Sequence, residues 1–331
     1  MTSPESDPIR RAAGVIACEA IETPLLRNLD LDSKTGARVF LKLESLQRTG
    51  SFKFRAAYFR LTELTARERA LGVVTYSSGN FGKALAAAGQ LLGIAVTIVV
   101  PVDAPTGKVN GARDFGAKIV VSNHGAENRE TAAARMAERV AASSNAVLLH
   151  PFEDELLLTG HAALVREFLA QIHSAGAVPD MIVVPCGGGG LAGGCCLALR
   201  GAAAVPRIVA VEPLGYEGMG LSIAAGERRR APGGTTSLCD ALQATQPGHL
   251  AFDAVLGGLT STVTVSDAEV AAAVRYAAEY LKLVIEPSAA AALAALLERK
   301  VATTGRTIAL IITGGNIDPT MFAQLTARER E

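Results

Sequence analysis

The stretch Met181-Ile-Val-Val-Pro-Cys-Gly-Gly-Gly-Gly-Leu-Ala-Gly-Gly194 (MIVVPCGGGGLAGG) decides the fold. It opens with a short apolar run typical of a buried strand, and four consecutive glycines then lead into a predicted helix. Glycines at such a junction let the backbone wrap a phosphate, which larger side chains would obstruct. The stretch therefore predicts an anion-binding turn between a strand and a helix of an α/β protein.

The same glycines also satisfy a second pattern. Gly188, Gly190 and Gly193 fit G-x-G-x-x-G, and Glu212 ends the next predicted strand about 20 residues later, as in nicotinamide-dinucleotide sites. A nicotinamide-binding Rossmann protein is therefore an alternative. The nicotinamide alternative leaves Lys53 and the turn at residues 77–80 unexplained. A site for a single phosphate together with a lysine adduct explains the glycine run, Lys53 and this turn.

Short β-branched runs alternate with predicted helices on both sides of this stretch. The other predicted strands are VVTYS (73–77), AVTIVVP (95–101), KIVVS (118–122), VLLHP (147–151), RIVAVEP (207–213) and TIALIIT (307–313). Helices are predicted at 81–93, up to Phe115, from about Ala126 to Ala142 and at 195–201, and loops with short helices between Gly226 and Thr260. This alternation predicts βαβ units and parallel sheets.

Lys53 lies where a turn passes into a helix. Ser51 is a good N-cap residue, and apolar side chains follow at helical spacing, which places Lys53 in the first turn. The positive end of the helix dipole and the neighbouring Phe52 and Phe54 both disfavour its ammonium form. A lysine with a lowered pKa is a nucleophile toward carbonyl groups. An exposed lysine at a helix start is the ordinary alternative.

Two further strand ends carry polar turns. Thr75–Gly82 runs from a strand through Ser, Gly and Asn into a helix, and free amides and hydroxyls there can bind a carboxylate. The strand ending at Thr313 is followed by Gly-Gly-Asn, which places a hydroxyl at the edge where parallel sheets bind ligands.

The composition indicates a small-molecule partner. The 331 residues are 49% hydrophobic, and 32 Lys and Arg balance 32 Asp and Glu, so no net field favours nucleic acid or an anionic membrane. No apolar stretch approaches the roughly 18–20 residues that span a bilayer, and the N-terminus lacks a signal-peptide core. These features predict a cytoplasmic protein.

Six motifs in chain order resemble a known family. They are K-x-E-x-x-Q-x-T-G-S-F-K (42–53), S-S-G-N (77–80), P-x-G-G-G-G-L (185–191), V-E-P (211–213), I-E-P (285–287) and T-G-G-N (313–316). The chain resembles the pyridoxal-phosphate-dependent serine racemase and serine/threonine dehydratase family, of the tryptophan synthase beta-like fold (fold type II). The resemblance implies two α/β domains, each with a mostly parallel twisted sheet flanked by helices, and the cofactor in the cleft between them.

The resemblance also implies roles for individual residues. Lys53 would bind the cofactor covalently and act as the catalytic base, and Ser78 would be an acid/base on the opposite ring face. The cofactor-binding residues would be Phe52, Lys53, Asn80, Gly187, Gly188, Gly189, Gly190, Leu191, Glu286 and Thr313. Of these, Asn80 would bond the 3-hydroxyl and Thr313 would meet the pyridine nitrogen. The substrate carboxylate would lie on Ser77, Ser78, Gly79 and Asn80.

The implied activity is that of an ammonia-lyase, which converts a β-hydroxy amino acid to a 2-oxo acid and ammonia by α,β-elimination. Serine, threonine and a 3-hydroxyaspartate are the candidate substrates. Racemisation or β-replacement on the same fold are the alternatives, because relatives that racemise carry a serine at position 78. We expect a homodimer, with a large domain at residues 1–47 plus 148–331 and a small domain at 48–147.

Three positions depart from the family pattern. Phe81 replaces a histidine beside the carboxylate turn, and His161 stands in the usual G-Q-G-T, either facing the substrate or, as we favour, simply as a helix residue. The relatives' Mg or Ca loop has an acid where this chain has Gly218. A metal site at Glu212 and the Tyr216 carbonyl is therefore a weak expectation.

Overall fold

The computed structural model describes residues 7–104, 106–123, 125, 129–202, 205–234 and 236–327. Its strands are β1 (Leu25–Arg27), β2 (Arg38–Leu43), β3 (Val73–Tyr76), β4 (Val96–Pro101), β5 (Lys118–Ser122), β6 (Val147–Leu149), β7 (Met181–Pro185), β8 (Arg207–Pro213), β9 (Ser261–Val265) and β10 (Thr307–Ile312). They form a six-stranded sheet in the order β1-β2-β10-β7-β8-β9 and a four-stranded sheet in the order β5-β4-β3-β6. Among the ten strands of the described residues, β1 and β2 form the single antiparallel pair, so the predicted α/β fold with two mostly parallel sheets is confirmed.

Helices lie between the strands along most of the chain. Their bounds are α1 (Pro8–Ile16), α2 (Leu29–Thr35), α3 (Lys53–Thr62), α4 (Ala66–Leu71), α5 (Asn80–Leu92), α6 (Thr106–Arg113), α7 (Arg129–Ser144), α8 (Glu155–Ser174), α9 (Gly190–Leu199), α10 (Gly218–Ala225), α11 (His249–Val255), α12 (Asp267–Tyr276), α13 (Pro287–Leu297) and α14 (Pro319–Thr326). Short 3₁₀ turns occupy Glu44–Leu46, Arg48–Gly50 and Asp240–Leu242, and a π-helical turn covers Ala277–Leu281.

The large sheet is buried on both faces. Alternate residues of its strands enter two separate apolar clusters: Leu41, for example, packs in one and Phe40 in the other. Helix α13, buried along its whole length, packs on β7, β8 and β10. Burial on both faces explains why these strands read as continuous apolar runs rather than as an alternating pattern.

Most predicted elements are confirmed, and the differences lie at the edges of the sheets. Strands β1, β2 and β9 were not predicted, and α7 is described only from Arg129, since Ala126 lies outside the described residues. Strand β6 pairs with β3 in the small sheet and so crosses the boundary drawn after residue 147. The division into two domains itself stays a prediction.

The carboxyl ends of the parallel strands carry the turns that the sequence singled out. The glycine run follows β7, Thr313 follows β10, and the Ser77–Gly79 turn follows β3 of the small sheet. Among the described residues, no helix is both long and apolar enough to cross a membrane.

Candidate active site

Lys53 is the first residue of α3, as predicted for the first turn. The N-cap is Phe52 rather than Ser51, and Phe52 makes no side-chain cap. Ser51 is not the N-cap because its backbone is extended and pairs with Gly314 in an isolated bridge. The Phe52 amide, in turn, donates to the Thr313 carbonyl at 3.0 Å. The start of α3 is therefore joined to the turn that follows β10.

The amine of Lys53 lies in an apolar surround. Its Nζ is 5.0 Å from the ring centroid of Phe52 and 5.9 Å from that of Phe81. Burial lowers the pKa of Lys53 to about 8, the predicted direction. The second aromatic neighbour is Phe81 and not Phe54, whose buried ring stacks on Tyr58. The structure thus supplies a lysine that loses its proton easily.

This lowered pKa predicts the pH dependence of chemical labelling. In cofactor-free protein, fluorodinitrobenzene should modify Lys53 at a rate that rises about tenfold per pH unit and levels off above pH about 8, because only the neutral amine reacts. Mass spectrometry of the peptide containing Lys53 measures this rate. A midpoint near 10.4, the ordinary lysine value, would contradict the assignment.

The first three residues of the glycine run, Gly187, Gly188 and Gly189, have no room for side chains. A Cβ added at Gly187 would lie 2.9 Å from the Cα of Leu242, and one at Gly188 would lie 2.5 Å from Cδ2 of Phe152. Gly189 has a φ of +90°, which other residues rarely adopt. The run ends in the N-terminus of α9, whose first amides have no intrahelical acceptor. This cradle fits a phosphate group.

The turn between β3 and α5 is held by the Ser77 hydroxyl, which accepts from the amides of Gly79 and Gly82 at 3.4 and 3.3 Å. A Cβ at Gly82 would lie 2.3 Å from the Ser77 carbonyl oxygen, so the turn needs glycine there. Ser78 and Asn80 are half-buried in the same turn. The N-terminus of α5, capped by Gly79 without a side-chain bond, faces any anion held by this turn.

The side chain of Asn80 is held by hydrogen bonds to residues of distant segments of the chain. Its Nδ2 donates to Oε1 of the buried Glu286 at 2.6 Å, and its Oδ1 accepts from Nδ2 of Asn316 at 2.8 Å. Nζ of Lys83 donates to Oδ1 of Asn316 at 3.0 Å. An amide nitrogen carries two hydrogens, so Asn80 keeps one donor for a ligand. Lys83 was not singled out from the sequence, because only the fold brings it to Asn316.

Thr313 is buried beside this network at the carboxyl end of β10. The next residue, Gly314, accepts from the Glu286 amide at 3.1 Å, and a Cβ there would lie 2.3 Å from Oε1 of Glu286. The segments of Lys53, Asn80, Glu286 and Thr313 are therefore brought together, as the resemblance implied.

A buried network of ion pairs binds helix α3 through the side chain of Arg55. The guanidinium of Arg55 donates to both carboxylate oxygens of Glu44 and both of Glu167, each at 2.8 Å. Nζ of Lys42, which is fully buried, donates to Glu167 at 2.6 Å and to Gln171 at 2.8 Å. Lys42 and Glu44 of the first motif thus hold the helix of Lys53 rather than contact a ligand.

The two candidate metal ligands have other partners. The Glu212 carboxylate accepts from the amides of Met219 and Gly220 at 2.7 and 2.9 Å, and the Tyr216 carbonyl accepts from the Gly218 amide at 2.8 Å. Burial raises the pKa of Glu212 to about 7. Within the described part of the chain, no group of three or more His, Cys, Asp or Glu side chains is placed to hold a metal.

The site as a whole fits pyridoxal phosphate. The glycine cradle would hold the phosphate, and Lys53 offers an amine that burial keeps easily deprotonated. Asn80 offers one amide hydrogen for the ring hydroxyl, and Thr313 lies at the strand end beside it. Each of these groups suits a different part of the same molecule.

Comparison with known proteins agrees with this geometry. Residues 19–314 match the family described as pyridoxal-phosphate dependent enzyme. The chain is 33% identical over 303 residues to L-threonine ammonia-lyase of Thermotoga maritima, across 92% of this chain and 73% of that protein. It is 35% identical over 307 residues to L-threo-3-hydroxyaspartate ammonia-lyase of a Pseudomonas species, across 92% and 93%.

The solved structure of maize serine racemase superposes with a TM-score of 0.88 and 33% identity, over 96% of this chain and 95% of that one. The sequence matches and the superposition extend over most of the chain, and the range matched by the family includes Lys53, the glycine run and Thr313. The chain belongs to the family of pyridoxal-phosphate dependent enzymes.

Proposed function

We propose that this enzyme is an ammonia-lyase that removes the β-hydroxyl of serine, threonine or a 3-hydroxyaspartate and releases a 2-oxo acid and ammonia. The observation that carries the proposal is the buried amine of Lys53 at the start of α3, near Phe52 and Phe81, whose pKa is lowered to about 8. Relatives named L-threonine and L-threo-3-hydroxyaspartate ammonia-lyase support this choice of reaction. The glycine run serves this cofactor, so the nicotinamide alternative is set aside.

Some residues of the site bind the cofactor or the substrate, and Lys53 also transfers a proton. Pyridoxal phosphate, when bound, supplies an electron sink for the carbanion at the substrate's α-carbon. The amine of Lys53 holds the cofactor and, once released, removes the α-proton. The turn at residues 77–80 binds the substrate carboxylate, and Asn80, held by Glu286, orients the cofactor ring. Thr313 offers the ring nitrogen a hydroxyl, which does not enforce its protonation as a carboxylate would.

A substrate panel tests the reaction. The purified enzyme is incubated with L- and D-serine, L- and D-threonine, and threo- and erythro-3-hydroxyaspartate, and 2-oxo acid and ammonia are both measured. Equal amounts of the two products from one substrate are expected. If none of the panel releases either product, the lyase proposal fails. An amino acid of opposite configuration as the only product would instead indicate racemisation, and a new amino acid formed only when a second nucleophile is added would indicate β-replacement.

Racemisation is the second candidate, and Ser78 is the observation that favours it. Ser77 spends its hydroxyl on the turn, so we assign the acid/base role on the opposite ring face to Ser78. Ser78→Ala should reduce interconversion of L- and D-serine by about 10²-fold or more, the usual contribution of a positioned acid or base, and should largely spare elimination from the L-isomer.

Chiral chromatography together with the 2-oxo acid assay measures both reactions on the same samples. Ser77→Ala is the matched control, and we expect it to reduce both together because it disrupts the turn. An equal loss of both reactions in Ser78→Ala would contradict the assignment.

The possible Mg or Ca ion is a separate matter from the pyridoxal-phosphate site. We propose that the enzyme works without a cation at Glu212, because that carboxylate already accepts two amides and Gly218 supplies no second acid. Activity and Tm should therefore be unchanged after dialysis against EDTA. A loss that Mg²⁺ or Ca²⁺ restores would overturn this proposal.

The homodimer, the cytoplasmic location and the domain division at 47/48 and 147/148 are proposals from the sequence alone. Sedimentation equilibrium of the purified enzyme tests the first of them.

A further inference from the structure

His161 lies in the middle of α8, where that helix crosses α3. A Cβ added at the preceding residue, Gly160, would lie 2.7 Å from the Cα of Ala56, so the two helices touch at this point. The side chain of His161 is 1% exposed. Neither of its ring nitrogens has a hydrogen-bond partner within the described part of the chain.

A buried imidazole without partners is unusual. Buried polar atoms are nearly always hydrogen-bonded, and an unsatisfied one costs free energy. Burial, together with the nearby charge of Lys53, lowers the pKa of His161 well below its ordinary value, so the ring is neutral and carries one donor and one acceptor nitrogen. Such a ring calls for a partner that the polypeptide does not supply.

The ring lies against two walls of the cofactor site. Its centroid is 4.9 Å from that of Phe52, the residue before Lys53. Its Nε2 and Cδ2 lie 3.7 and 3.6 Å from the position a Cβ of Gly190 would take. Gly190 is the first residue of α9 and belongs to the phosphate cradle. The imidazole is therefore close both to the helix start that carries the lysine and to the one that would receive the phosphate.

We propose that His161 is a further cofactor-binding residue, whose Nε2–H donates a hydrogen bond to the phosphate end of the bound pyridoxal phosphate. The proposal departs from our expectation that His161 is simply a helix residue. The inference rests on the same site as the proposed function, but not on the choice of substrate. A glutamine amide, usual at this position in the family, is also a neutral donor, so glutamine should replace the imidazole.

The test compares two ligands that differ only in the phosphate. Cofactor-free wild type, His161→Leu and His161→Gln are titrated with pyridoxal phosphate and with pyridoxal, and binding is followed by absorbance. His161→Leu should weaken binding of pyridoxal phosphate about 10- to 100-fold, as expected for one lost hydrogen bond to a charged group, with pyridoxal unchanged. His161→Gln should stay within about threefold of wild type. Equal weakening for both ligands, or none, would overturn the proposal.

A second measurement, by NMR, follows the wild-type protein and uses a variant only to assign the His161 signals. In ¹⁵N-histidine-labelled wild type, pyridoxal phosphate should shift the ring signals of His161, assigned with His161→Gln, and pyridoxal should not. Identical spectra with the two ligands would also sink the proposal. A phosphate-specific shift without any lyase activity would leave this inference standing and reject the proposed function.

Discussion

Replacing Lys53 by alanine is expected to reduce kcat/KM for 2-oxo acid formation by more than about 10³-fold, since the loss of a general base alone costs 10²–10⁴-fold. The variant loses both the covalent attachment of the cofactor and the base that takes the α-proton. It should also lack the yellow absorbance near about 410–420 nm that a lysine-bound cofactor gives. Steady-state kinetics and the absorption spectrum measure the two effects on the same sample.

Lys300 provides the matched control. It is also a lysine, but it lies at the surface, where its Nζ pairs with Glu269 at 2.8 Å and donates to the Thr264 carbonyl at 2.9 Å, and neither partner belongs to the site. Lys300→Ala should keep both the spectrum and kcat/KM within about twofold, as is usual for surface changes. If Lys53→Ala keeps the yellow band, the attachment site is another amine and the assignment is wrong.

Partial rescue would separate the two roles of Lys53. A small amine such as methylamine, added to Lys53→Ala, can enter the space left by the side chain and act as a base. We expect it to restore a fraction of the turnover that grows with pH, because only the neutral amine accepts a proton. The same amine should do nothing for a variant that is merely unfolded, and a circular dichroism spectrum checks the fold.

Local patterns were sufficient to predict most of the fold and the strand-end turns at which the candidate site lies. The strand–glycine–helix sequence around Gly188 can form only one kind of turn, and the apolar runs at β7, β8 and β10 are buried on both faces as parallel strands must be. Strand β1, at one edge of the large sheet, was missed because it has three residues, too few for a periodic signal.

Contacts between distant segments could not be predicted from local pattern. Asn80 and Glu286 are 206 residues apart, and only the packing of the two sheets places their side chains at 2.6 Å. The second aromatic neighbour of Lys53 proved to be Phe81, because the ring of Phe54 stacks on Tyr58 instead. Glu212 looked like a metal or ribose ligand, yet its position before α10 makes it an acceptor for that helix's amides.

Disrupting the buried ion network of Arg55 is expected to have the largest effect on the free energy of unfolding. Arg55 is 2% exposed and satisfies four carboxylate oxygens, two on Glu44 and two on Glu167. Burial opposes its charge, but the bonds and charges of the two glutamates outweigh this and raise the pKa of Arg55 above its ordinary value. Removing one partner of such a group leaves buried charges uncompensated.

Arg55→Ala should therefore lower the free energy of unfolding by about 3–5 kcal/mol. A fall in Tm on the order of 10 °C is the corresponding thermal effect. Differential scanning calorimetry of the holoenzyme and of the cofactor-free protein measures it. The loss of stability should be of similar size in both forms, because the network contacts α3 through Arg55 and does not contact the ligand.

A surface pair offers the comparison that isolates burial. Arg229 and Glu227 also form an arginine–glutamate ion pair, but their side chains are 58% and 63% exposed. Arg229→Ala should change the free energy of unfolding by less than about 1 kcal/mol. Glu44→Gln combined with Arg55→Ala should cost less than the sum of the single changes, because the double variant removes both charges of the buried pair. If Arg55→Ala costs no more than Arg229→Ala, the network does not hold α3, and the position of Lys53 must depend on the bridge between Ser51 and Gly314 instead.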